Sequence, residues 1–125
     1  SSHGITYLGH KNAIKNYLTL EDNILLMELN DKEELNKYIE ILNLRKYMDV
    51  IAANLSFGQQ KKLALLRIFL NNSDLIILDE PFVGLDIETQ DILSEFLNNQ
   101  LKMNKSIIYT SHISCQIESK ILKIN

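Results

Sequence analysis

Apolar residues recur along this chain with two different periods. Leu35, Tyr38, Ile39 and Leu42 stand at i, i+3, i+4 and i+7, one stripe of an amphipathic helix. Leu63, Leu66, Phe69 and Leu70 share one helical face, as do Ile92, Leu93, Phe96, Leu97 and Leu101 on a helix running from Asp86 to Leu101. Between these lie short continuous apolar runs, Leu75-Ile76-Ile77-Leu78 and Ile107-Ile108-Tyr109. They are too short for helices, and they read as parallel strands covered on both faces. Ile5 and Tyr7 alternate ahead of Gly9 as a short strand and turn, and Lys120 to Asn125 has room for a last strand. Helices alternating with apolar strands give an α/β fold with a parallel sheet core.

Polar residues mark where the helices begin. Thr19 followed by Asp22 is a capping pattern that starts a helix near Leu20, and Asn30 with Glu33 makes a second such start. A turn and short helix follow over Asn43 to Ala53, so that 11–54 reads as a helical subdomain set between 1–10 and 55–125. Ser56 and Gln59 fit the S-x-x-Q capping box and place Ser56 at the start of the next helix.

Candidate chemistry collects at two of these ends. The strand Leu75–Leu78 delivers Asp79 and Glu80 to a sheet edge, and Pro81 stops it. Open parallel sheets bind ligands beyond the carboxyl ends of their strands. A solvated turn after a strand would carry the same two acids. The helix start at Ser56 offers unpaired N–H groups and a partial positive charge, an anion site, and Gly58 lets a phosphate approach the backbone. The plainer alternative is a well-capped structural helix. Lys61, Lys62 and Arg67 continue as a basic face.

Composition narrows the partners. The chain is 46% hydrophobic and 23% charged with a net charge of −3, so nothing favours nucleic acid or an anionic lipid surface. The single cysteine, Cys115, excludes an internal disulfide, and no apolar run approaches a membrane span. No signal-peptide pattern opens the chain, so a membrane role is expected through a partner. No G-x-x-x-x-G-K-[ST] occurs, and the only glycines are Gly4, Gly9, Gly58 and Gly84. The phosphate cradle of a P-loop is therefore missing from this stretch. Together with the lack of an initiating methionine, that leads us to expect a fragment of a longer protein.

Leu55-Ser56-Phe57-Gly58-Gln59 resembles the signature loop of ATP-binding-cassette (ABC) proteins, usually written LSGGQ. Leu75 to Glu80 is similar to that family's Walker B strand with its catalytic glutamate, and Gly84-Leu85-Asp86 to its D-loop. Thr110-Ser111-His112 stands where the switch histidine falls, and Tyr7-Leu8-Gly9-His10 where the Q-loop strand ends, with His10 in place of glutamine. That substitution, with Leu18-Thr19-Leu20-Glu21-Asp22-Asn23 after it, resembles the branch of ATP-binding subunits serving haem export in cytochrome c maturation.

The resemblance implies a partial P-loop NTPase (ABC nucleotide-binding) fold, a parallel sheet core plus the helical subdomain. It implies ATP and Mg²⁺ as ligands, Asp79 on the metal, and Glu80 and His112 as catalytic groups. Ser56, Gly58, Gln59, Asp86 and His10 would contact nucleotide, the signature residues serving a site on a second copy closed head to tail. Membrane-spanning transporter subunits would be further partners, with the ATPase peripheral on the cytoplasmic face of the inner membrane. Two alternatives stay open: a soluble ABC ATPase of translation or DNA repair, and a non-catalytic interaction module. Without a P-loop the fragment itself is expected to be inactive and to bind ATP weakly. Loss of the P-loop strand is expected to leave Ser106–Thr110 as an apolar edge, leading to self-association, exchanged elements or a rearranged carboxyl-terminal end.

Overall fold

The computed structural model describes residues 4–9, 13–110 and 121–123. Their contacts form two compact units, Asn12–Leu70 and Ser1–Lys11 with Asn71–Asn125.

The first unit is helical. Helix α1 (Leu20–Leu26) starts at Thr19, whose hydroxyl accepts the Asp22 N–H, as the capping pattern requires. Asn23, on its buried side, holds the preceding segment. Its Oδ1 accepts the Lys15 N–H at 2.7 Å, and its Nδ2 donates to the carbonyls of Lys15 and Thr19 at 3.1 and 2.9 Å. Helix α2 (Lys32–Ile41) is capped by Asp31, which accepts the Glu34 N–H, and not by Asn30. Both residues can cap, each with a glutamate three positions on, and Leu35, Ile39 and Leu42 share the buried side whichever of them does. Asn43 to Ala53 holds two single 3₁₀ turns, Arg45–Tyr47 and Ala52–Asn54, in place of a short helix.

Helix α3 (Phe57–Phe69) follows. Leu63, Leu66 and Phe69 are buried as the spacing predicts, and Ala64, Leu65 and Ile68 are buried as well, so the apolar face is far wider than one stripe. Tyr38 of α2 stacks on Phe69 with ring centroids 4.5 Å apart and planes 5° from parallel, which fixes α3 against α2. Lys61 is 3% exposed, so the expected basic face is broken at its first member, with Lys62 half-buried and Arg67 exposed.

The second unit is a four-stranded sheet in the order β1-β2-β3-β4, every neighbouring pair parallel. The strands are β1 (Ile5–Leu8), β2 (Leu75–Asp79), β3 (Ser106–Thr110) and β4 (Ile121–Lys123). In register, Leu78 lies between Leu8 and Tyr109. Helix α4 (Ile87–Lys102) connects β2 to β3 and buries Leu93, Leu97 and Leu101, with Ile92 and Phe96 half-buried. Lys105 ties the start of β3 to the loop before β2, donating from Nζ to the Ser73 carbonyl at 2.9 Å.

Two expectations change here. Cover on both faces of β2 holds for one face only: Ile76 and Leu78 are 0% and 1% exposed, whereas Leu75 and Ile77 are half-buried. Ile5 and Tyr7 of the neighbouring edge strand are exposed. The edge of β3 facing away from β2 is not open, because Ile107, Ile108 and Tyr109 pair with Ile121, Leu122 and Lys123 of β4. No helix among the described residues is long and apolar enough to cross a membrane.

Candidate functional site

The helix start at Ser56 closes on itself. Ser56 Oγ accepts the Gln59 N–H at 3.1 Å and Gln59 Oε1 accepts the Ser56 N–H at 2.9 Å, the reciprocal capping box that the sequence predicts. Gln60 Nε2 donates to the Ala52 carbonyl at 2.8 Å, anchoring the first turn to the segment before it. With Gln59 N–H capped, the N–H groups of Phe57 and Gly58 are the first-turn donors that have neither an intrahelical acceptor nor the serine. Ser56 itself is exposed and Gly58 half-buried, so a ligand can reach this turn. Such a turn receives an anion without any lysine. Phe57, standing where the usual signature has glycine, is 56% exposed.

The strand end at Asp79 is built differently. Asp79 is the last residue of β2, half-buried, with Thr110 as its register partner on β3. Glu80 follows, also half-buried, with φ of 49°, in the left-handed region. The chain then folds into a tight loop whose Glu80 carbonyl accepts the Val83 N–H at 3.3 Å. Pro81, Phe82 and Leu85 are buried in that loop. Gly84, at φ 81°, supplies the second left-handed position. Asp86 caps α4, its Oδ1 accepting the Thr89 N–H at 2.9 Å, and Gln90 Nε2 braces the loop through the Leu85 carbonyl at 3.0 Å. Asp86 thus opens the helix that the sequence predicts from Asp86 to Leu101.

Asp79 with Glu80, and Ser56 with Gln59, are each brought together within one unit. His10 and His112 lie outside the described residues. Among the described residues no group of three His, Cys, Asp or Glu side chains could hold a metal ion. A half-buried carboxylate at a strand end suits a cation that arrives with phosphate and water as its other ligands, which is how Mg²⁺ is ordinarily held.

The ABC transporter family model matches residues 1–83. The chain belongs to the ABC transporter family. Among curated relatives it is similar to the cytochrome c biogenesis ATP-binding export protein CcmA of Pasteurella multocida. The two are 33% identical over 124 residues, 95% of this chain and 57% of the relative. CcmA of Gluconobacter oxydans is 32% identical over 115 residues, covering 92% and 54%. The chain thus spans about half the length of the curated relatives it matches. Among solved structures, the ATP-binding subunit of an ABC transporter superposes with a TM-score of 0.75 at 26% identity, over 87% of this chain and 48% of that one. A dimeric ATP-binding cassette in a post-hydrolysis state, bound to ADP and phosphate, superposes with a TM-score of 0.68 at 23% identity, a likeness of fold. The expected ABC nucleotide-binding fold, a parallel sheet with helices, is what the chain adopts.

Proposed function

We propose that this chain is the carboxyl-proximal part of an ATP-hydrolysing subunit that powers an ABC exporter, with haem as cargo. The observation that carries this is that one chain holds two chemistries: a capped helix start at Ser56 and an acidic pair, Asp79 and Glu80, at the carboxyl end of a parallel strand buried on one face. The haem cargo rests on the resemblance at Tyr7-Leu8-Gly9-His10, and relatives named as cytochrome c biogenesis export proteins support it.

In this reading Asp79 holds the nucleotide's Mg²⁺, directly or through water, and the ion, when bound, neutralises charge developing on the phosphates. Glu80 accepts a proton from the attacking water or orients it. His112 donates to the γ-phosphate, and His10 stands in the sequence where the family's glutamine would be. Ser56, Gly58 and Gln59 receive the phosphates of a nucleotide held by a second copy, and Asp86 lies at that interface. Membrane-spanning subunits complete the exporter, with this subunit peripheral at the cytoplasmic face.

The test is hydrolysis in a protein that carries this sequence together with a P-loop. Mg²⁺-dependent release of phosphate from ATP, strongly reduced by Glu80→Gln, is the expected result. Hydrolysis that survives that substitution unchanged removes Glu80 from the reaction.

A further inference from the structure

Among the described residues four non-glycine positions have φ between 49° and 63°: Glu28, Asn43, Glu80 and Asn104. Glu28, Asn43 and Asn104 each follow the residue that caps the end of a helix, Met27, Leu42 and Met103. That is the position where left-handed backbone routinely closes a helix. Glu80 has no such reason, since it follows a strand. Its neighbour makes the conformation odder still, because a residue before proline is pushed towards extended backbone, and Pro81 is next.

Strand geometry suggests what the turn accomplishes. Along β2 the residues alternate, Ile76 and Leu78 on the deeply buried face, Leu75, Ile77 and Asp79 on the half-buried one. Continued alternation would send residue 80 to the face of Ile76 and Leu78. A carboxylate placed there would lose its water, and two consecutive acids would point to opposite sides of the sheet. Glu80 is instead half-buried, and Phe82, 3% exposed, takes a place in the core.

We propose that the left-handed turn at Glu80 is a positioning device. It breaks the alternation so that Asp79 and Glu80, adjacent in sequence, serve one site, and the chain gives up stability at residue 80 to hold a glutamate there. Burial of Pro81, Phe82 and Leu85 together with the Glu80 carbonyl to Val83 N–H bond holds the turn in place. The functional half of this rests on the reading of Glu80 as the group that handles the attacking water. The conformational half does not.

Thermal unfolding of the 125-residue chain with Gly, Asn, Ala, Gln or Val at position 80 separates the two. Left-handed backbone favours Gly and Asn and penalises a β-branched side chain, the reverse of strand preference. Glu80→Gly is expected to melt roughly 3–6 °C above Glu80→Ala, with Asn between them, Gln level with Ala and Val lowest. Val at or above Ala with Gly lowest would show extended backbone at residue 80 and overturn the proposal, whatever Glu80→Gln does to hydrolysis. In the P-loop-containing protein, Glu80→Gln is expected to lower kcat while leaving KM for ATP within about twofold. Undiminished kcat there, with the thermal order intact, would leave a strained turn without this purpose and overturn the functional half alone.

Discussion

The helix start at Ser56 and the strand end at Glu80 are both places where this chain presents polar chemistry, yet they are held by opposite means. At Ser56 every constraint is local and favourable: serine and glutamine three residues apart satisfy each other's backbone N–H groups, and the glycine at 58 sits in an ordinary helical turn. At Glu80 the residue opposes its own backbone, and the geometry is imposed by what surrounds it, the buried Pro81 and Phe82 after it and the paired strand before it. Chemistry built from agreeing local preferences survives changes elsewhere in the molecule. Chemistry built against them depends on the packing around it.

That contrast can be broken in order of size. Glu80→Gln in the hydrolysing protein should lower turnover by roughly 100-fold or more, measured as phosphate release at saturating Mg-ATP. Leu78→Ala removes a side chain that is 1% exposed one turn of alternation before Asp79. It should cost about 2–5 kcal/mol in denaturant unfolding, and the loop at Glu80 should lose its support with it. Ser56→Ala should cost about 1 kcal/mol in the same unfolding measurement, as expected of a self-contained cap. A cost as large as that of Leu78→Ala would show that the cap is not local. Smallest is the pair Asp31→Ala and Asn30→Ala. The first should lose about 0.5–1 kcal/mol and the second nearly nothing, since Asp31 makes the capping bond to Glu34.

The same contrast governs what could be read in advance. Thr19, Ser56 and the strands at 75–78 and 106–110 were legible because a cap or an apolar run states its own structure within a few residues. The cap at Asp31 rather than Asn30 is not legible, because adjacent Asn and Asp, each with Glu three residues on, cap equally well. The charge of Lys61 suggests a basic face, whereas its position on α3 falls among Leu65, Ala64 and Ile68 and is buried with them. Burial on one face of β2 and the turn at Glu80 were illegible for a shared reason. Both depend on residues distant in sequence, β1 and β3 on either side and the loop from Pro81 to Leu85 beyond. His10 and His112, read by resemblance, lie outside the described residues.

Asn23 shows how much one side chain can impose on a stretch without regular structure. Lys15 lies in no helix or strand, and a loop amide of that kind ordinarily trades its hydrogen with solvent within seconds. Here the Lys15 N–H is held by Asn23 Oδ1 at 2.7 Å, from a helix whose own first turns are closed. Its deuterium uptake is therefore tied to the opening of α1, and the loop and helix exchange as one unit. Asn23→Asp, nearly identical in shape, keeps the acceptor and loses the amide that donates to the Lys15 and Thr19 carbonyls. Buried at 4% exposure, that carboxylate would face the two carbonyl oxygens in place of the amide, and the loop would open and exchange at its own faster pace.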